Sequence, residues 1–263
     1  MRGAILLAGM LLSCGSAAAA DEQPICANRP GKSTPTCTVP AAHVQVETAL
    51  ADWSLQKAGS TRDSSVAVGE TTFIYGLSDS SDIELDVTPW QRQASSAAGF
   101  HDRVSGFGDL VALFKQRLTR GDAAVQVAAL PFVKLPTAKR PLGNGKVEGG
   151  LHVPIDYSVA NTPVSIESTP EIDWAADATG HGHHFAMAQV VSLGLQATRR
   201  LSLSAELWEK WDWDPQGTSR QASADGTLAY LVKDTLQLDA GANFGLNRQT
   251  PDVELYAGVS ARF

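Results

Sequence analysis

No apolar run in this 263-residue chain is long enough to cross a bilayer as a helix, which takes about 20 residues. Any membrane passage must then be made by a closed barrel, because only helices and barrels satisfy every backbone group in lipid. A basic excess is missing too: 21 Lys and Arg stand against 28 Asp and Glu. That balance excludes nucleic acid as a partner, which calls for clustered cations. There is no G-x-S-x-G elbow, and no outward serine is flanked by a suitable base. No catalytic residue, cofactor or enzyme activity is expected. Gly143-Asn144-Gly145-Lys146 lacks the spacing of a phosphate loop. His181, His183 and His184 lie in an expected external loop with no acid on a rigid element beside them, so no metal site is expected.

Cysteine is scarce, at three residues. Met1 to Ala20 reads as a secretory signal, with Arg2 as n-region, an apolar stretch from Ala4 to Leu12 and small residues before Asp21. Leu11-Leu12-Ser13-Cys14 offers a lipoprotein-type alternative, but the alanines before Asp21 favour ordinary cleavage. Cys14 leaves with the signal. Cys26 and Cys37 then form one disulfide in the oxidising periplasm, within a periplasmic segment over residues 21–41 that precedes a barrel over 42–263.

What is present is alternation. Val253, Leu255, Ala257, Val259, Ala261 and Phe263 alternate with Glu254, Tyr256, Gly258, Ser260 and Arg262, so one strand face is apolar and the other largely polar. A strand of this kind ending on an aromatic residue is the signal that barrel-assembly machinery reads. The pattern recurs at residues 236–247, 201–208, 151–157 and 83–88, and more loosely elsewhere. Strands of about 9–11 residues are what a barrel needs to cross the bilayer. Short turns are expected at residues 78–81, 119–122, 160–162, 198–200 and 233–235. Longer links are expected at Gln56–Asp63, Gln93–Arg103, Pro136–Lys146, Ala178–His184, Asp214–Arg220 and Arg248–Asp252. Short periplasmic turns and longer external loops imply an all-β transmembrane antiparallel barrel of about twelve strands, with ten to fourteen allowed. Pro131, Pro154 and Pro170 fall inside strand candidates, where each removes a ladder bond.

The tryptophans Trp53, Trp90, Trp174, Trp208, Trp211 and Trp213 all fall toward strand ends that enter the long links, and Tyr75, Tyr157, Tyr230 and Phe263 fall at the opposite ends. Two aromatic girdles at the membrane–water interfaces account for this placement. The inward set, the expected pore lining, is Glu84, Asp86, Asp109, Lys115, Arg117, Lys134, Glu148, Asp156, Glu167, Glu171, Asp173, Glu206, Lys210, Asp239, Glu254 and Arg262. Such a ring either filters solutes or pairs internally and fills the lumen.

Several stretches carry a resemblance. Cys26-Ala-Asn-Arg-Pro-Gly-Lys32, Cys37 through Glu47, Tyr75 through Glu84, Gly106-Phe-Gly-Asp-Leu110, Pro131-Phe-Val-Lys-Leu-Pro136 and Ala240 through Asn247 resemble outer-membrane proteins of the family named for the MetA pathway of phenol degradation. The resemblance implies an outer-membrane barrel that takes up aromatic or other small compounds, and it designates no catalytic residues. The sequence thus leads to a channel for passive passage of small-molecule solutes in the bacterial outer membrane, in contact with its lipid. A closed barrel serving as surface scaffold or adhesin is the alternative, and an outer-membrane enzyme a more distant one.

Overall fold

The computed structural model describes residues 23–263; the expected signal (1–20), with Cys14, lies outside the described residues. The strand segments are β1 (Val44–Ala58), β2 (Thr61–Val68), β3 (Glu70–Ser78), β4 (Ser81–Val87), β5 (Trp90–Ala97), β6 (Phe100–Gly106), β7 (Leu110–Arg117) and β8 (Val125–Leu135). The second half holds β9 (Glu148–His152), β10 (Ile155–Ser158), β11 (Val164–Ala176), β12 (His183–Gln196), β13 (Leu201–Asp214), β14 (Gly217–Lys233), β15 (Leu236–Gly245) and β16 (Val253–Arg262). All belong to one antiparallel sheet, which the pairing of β16 with β1 closes.

Joined end to end, the segments make a closed barrel of 12 antiparallel strands. The strand formed by β2 and β3 bends at Gly69, whose φ of 72° suits glycine. β4 runs into β5 across Thr88 and Pro89, and β9 into β10 across Val153 and Pro154. Closure leaves no sheet edge around the membrane-level ring, which is what lipid demands.

The chain is apolar outside and polar inside. Leu50, Phe73, Ile83, Leu85, Phe114, Leu193, Leu207, Phe244 and Leu255 are exposed, whereas Gln45, Glu47, Asp82, Glu84, Lys115, Ser192, Glu206 and Ser260 are buried. Period-2 alternation produces both sets at once, since successive side chains leave opposite faces of a strand. Trp90, Trp174 and Trp213 are exposed toward the external end, and Tyr75, Tyr157, Tyr230 and Phe263 toward the other. Trp53 and Trp211 share the outward face, paired with Leu255 and Met187. Trp208 departs from the expected girdle. It follows the inward phase of Glu206 and Lys210, and its ring lies 5.4 Å from the Lys32 ammonium.

Three of the links expected to be long external loops are strands instead. β1 and β2 meet at Gly59-Ser60, β5 and β6 at Ala98-Gly99, and β13 and β14 at Pro215-Gln216. Above the bilayer both faces of a sheet meet water, so alternation fades while the hydrogen-bond ladder continues. Residues 136–147, 177–182 and 246–252 remain as true external loops.

Candidate functional site

The segment before β1 does not stand apart from the barrel. Residues 23–41 run inside it, and they make a lap of its inner wall held by carboxylates. The N–H groups of Asn28 and Arg29 each donate to one oxygen of Glu47, both at 3.0 Å. The Asn28 amide reaches Glu84 (2.8 Å), and the Arg29 guanidinium pairs with Asp239 (2.9 Å). Farther round, Lys32 donates its N–H to Glu206 and its ammonium to Asp225, both at 2.8 Å. The Ser33 hydroxyl donates to Glu206 (2.6 Å) and lies 3.0 Å from Glu167. Thr36 gives both its N–H and its hydroxyl to Asp156, at 2.8 and 2.6 Å. Val39 closes the circuit by donating to Asp82 at 2.9 Å, one strand residue pair from Glu84. Cys26 and Cys37 are joined as a disulfide near the two ends of this lap.

The chemistry of the wall explains the strap. Non-helical backbone at membrane depth must find its hydrogen bonds inside the protein. A carboxylate is acceptor-only with two oxygens, so one side chain can satisfy two neighbouring N–H groups. Gly31 passes so close to Glu206 that a Cβ would collide with its carboxylate. The strap therefore uses a glycine where the backbone meets the wall.

The expected inward residues fall into groups. Glu84, Asp156, Glu167, Glu206 and Asp239 hold the strap, as above. Lys115 pairs with Glu84 at 3.2 Å and donates to the Asn28 side-chain oxygen at 2.7 Å; its side chain is 2% exposed. At the external mouth Lys134 bridges Asp109 (3.3 Å) and Glu148 (2.6 Å). Lys210 pairs with Asp173 at 3.0 Å, and Glu171 faces His152 at 3.7 Å. Glu254 accepts from Asn243, Asp86 stands opposite Thr72, and Arg262 donates to the Gln23 carbonyl. Arg117 lies at the periplasmic rim, where it donates to the Asp79 carbonyl. Three strap holders escaped the sequence reading. Glu47 precedes a register shift between Ala49 and Ala51 that reverses the phase of β1, so the phase of the later part of the strand assigns it to the wrong face. Asp82 continues the Glu84/Asp86 period but lies between the expected turn at 78–81 and the expected strand at 83–88, and Asp225 sits in the middle of β14, whose polar run hides its facing.

A second cluster lies at the external end of β12. His184 is nearly buried, and its ring nitrogens meet Asp177 (2.9 Å) and Asp212 (2.8 Å), with Asp214 at 3.7 Å. The expectation that this histidine loop has no acid partner is thereby corrected: Asp212 and Asp214 come from the end of β13, 28 and more residues away. Both nitrogens can donate only in the imidazolium form. That cation clasps the 177–182 loop to β13. Replacing His184 by Ala leaves three carboxylates facing one another. Loss of about 1–3 kcal/mol is expected locally, and limited proteolysis should cut within residues 177–182 roughly tenfold faster for each ~1.4 kcal/mol lost. Unchanged cleavage would mean that the clasp is idle.

Above the strap the lumen opens. A cavity of about 300 Å³ at the external mouth is lined by Ser54, Asp63, Gln93, Asp102, Pro141 and Pro251, among others. Below it, a cavity of about 450 Å³ lies between the strap and the periplasmic ends of β11 to β13. On the wall between β8 and β11 the inward surface turns apolar. Leu130 is buried, and Phe132 packs edge-on against His152 with ring centroids 5.1 Å apart. Pro131 in β8, Pro154 between β9 and β10, and Pro170 in β11 occupy three successive strands of this wall. The β7–β8 ladder also skips between Leu113↔Phe132 and Gln116↔Ala129.

Comparison with solved structures agrees with this architecture. The chain is similar to an outer membrane channel from Pseudomonas putida F1, with a TM-score of 0.71, 15% identity, and coverage of 89% of this chain and 99% of that one. It is similar to the beta domain of the Bordetella autotransporter BrkA (TM-score 0.53, 12% identity, 85% and 100% covered). It is also similar to the NanC porin (TM-score 0.51, 8% identity, 83% and 98% covered). No curated protein matches the chain. At these identities the likeness speaks for the fold, an outer-membrane barrel. The family described as "Putative MetA-pathway of phenol degradation" matches residues 27–263, from the strap to the terminal Phe263, and the chain belongs to that family.

Proposed function

We propose that this barrel carries small apolar molecules, aromatic compounds among them, passively across the outer membrane, and that they leave the lumen through its wall. The observation that carries the reading is the strap. It occupies the axial path and engages Glu47, Asp82, Glu84, Asp156, Glu167, Glu206, Asp225 and Asp239. These acids are spent on holding it, which disfavours a simple charge filter along the axis. A solute entering the external cavity instead meets the apolar inner patch of Leu130 and Phe132. Beside that patch stand the prolines that deprive the wall of ladder bonds. The family's link to phenol degradation agrees with an aromatic cargo.

The route can be locked. Val127 and Ile155 stand directly opposite across the β8–β10 seam, next to Pro154, at a spacing that suits a disulfide. The Val127→Cys/Ile155→Cys variant in its oxidised form should take up toluene into barrel-containing vesicles at least about tenfold more slowly than wild type. Reduction should restore the rate, with reduced wild type as the control for the native Cys26–Cys37 bond. Wild-type uptake by the oxidised variant would rule out this seam as the exit.

A further inference from the structure

Above the level of Trp53 and Trp90, segments β1, β2, β5 and β6 continue upward as a four-stranded extension of the wall. Its pairings assign every side chain to a face, since directly opposed residues point the same way. One row runs Trp53, Val66, Arg92, Ser105; the next runs Leu55, Ser64, Ala94, Arg103; the uppermost runs Lys57, Arg62, Ser96, His101. These rows continue the outward, lipid-facing surface. The acids of the extension stand on the other face, in the row Gln56, Asp63, Ser95, Asp102 that borders the lumen cavity.

The outward face thus presents Lys57, Arg62, Arg92 and Arg103, with His101, and no carboxylate within its rows. All five are exposed. Among the described residues none of these four cations forms an ion pair, while Arg29, Lys32, Lys115, Lys134 and Lys210 inside the barrel all do. The Arg92 guanidinium lies 6.0 Å from the Trp90 ring, so the patch begins at the aromatic girdle. At about 3.3 Å per residue it rises roughly 13 Å from the Trp53 row. Ser64, Ala94, Ser96 and Ser105 between the cations leave their forks free. In a chain of net charge −7, such one-sided segregation puts positive charge where the outer leaflet carries its phosphates.

We propose that this face binds the phosphate groups of the outer leaflet's anionic glycolipid, lipopolysaccharide, through Arg62, Arg92 and Arg103. A guanidinium meets a phosphate through two parallel hydrogen bonds, and the face is continuous with the surface that already contacts acyl chains.

The test uses the folded full chain in detergent, titrated with bisphosphorylated lipid A and read by native mass spectrometry. The Arg62→Gln/Arg92→Gln/Arg103→Gln variant should bind at least about tenfold more weakly than wild type. Monophosphorylated lipid A should bind wild type more weakly than the bisphosphorylated form. A charge-matched control at the periplasmic end, Arg199→Gln/Arg200→Gln/Lys233→Gln, should bind like wild type. Because the arginines are exposed, the variant should fold, and single Arg92→Gln should give an intermediate loss. Equal binding by wild type and the triple variant, or an equal loss in the control, overturns the proposal. Displacement of lipid A by millimolar inorganic phosphate would point to a free-phosphate site and overturn the lipid assignment.

Discussion

Deleting residues 23–41 is expected to turn a closed barrel into a steadily conducting, cation-selective pore. In planar bilayers the full chain should show little sustained axial conductance, and the strapless variant a defined open level. The barrel should survive the deletion, because closure rests on the backbone ladder between β16 and β1, from Gln45↔Arg262 to Leu55↔Val253. What changes is the lumen. Eight carboxylates lose the N–H, hydroxyl and cationic donors that now occupy them, among them Arg29 and Lys32. The wall keeps only Lys115, Lys134, Lys210 and Arg262 as inward cations among the groups placed above. A narrow passage lined by one sign of charge concentrates its counter-ions, roughly tenfold or more at low salt. The reversal potential in a salt gradient should therefore move toward the cation limit. Replacing both Cys26 and Cys37 by Ser should give a milder result, with brief openings rather than a steady level. A strapless barrel that stays silent would show that another element closes the axis, and the strap would lose its assigned part.

The strap also shows where sequence reading stops. Alternation reveals a strand only when its two faces meet different media, so the membrane-level staves such as β15 and β16 were legible from hydropathy. The upper parts of β1, β2, β5, β6, β13 and β14 meet water on both faces, and the same reading made them loops. The strap reads in sequence as a periplasmic segment ahead of the barrel, and of its contacts only the Cys26–Cys37 bond is legible there. Its partners are set by three-dimensional proximity: Lys32 and Asp225 are 193 residues apart, and Arg29 and Asp239 are 210 apart. No local pattern reports such pairs. The inward acids themselves were recognised, but sequence cannot distinguish a carboxylate facing water from one facing a backbone N–H. Glu47 is hidden because β1 shifts register by a single residue just after it, between Ala49 and Ala51, so the phase read from the later part of the strand puts it on the other face.

Lys115→Met should cost this barrel about 3–5 kcal/mol of stability, the range for removing one partner of a buried ion pair. Lys115 and Glu84 are each 2% exposed in their side chains, 3.2 Å apart. Around them lie Glu47, Asp82 and Asp86, all directed inward from β1 and β4, so the lysine is the cation that offsets this acidic quarter of the wall. Methionine fills a similar volume, and the loss is therefore one of charge rather than packing. It also removes the donor to Asn28, which loosens the strap at its first anchor. The unfolding midpoint in urea, measured on the barrel in lipid vesicles, should fall accordingly. Adding Glu84→Gln to Lys115→Met should recover most of the loss, since a neutral amide leaves no buried charge to compensate and can still accept from the Asn28 side chain. A single variant within about 1 kcal/mol of wild type would mean that these carboxyls already share protons and do not depend on the lysine. Failure of the double variant to recover, with the single variant strongly destabilised, would shift the cause to Asn28 and the strap, because that contact is lost in both.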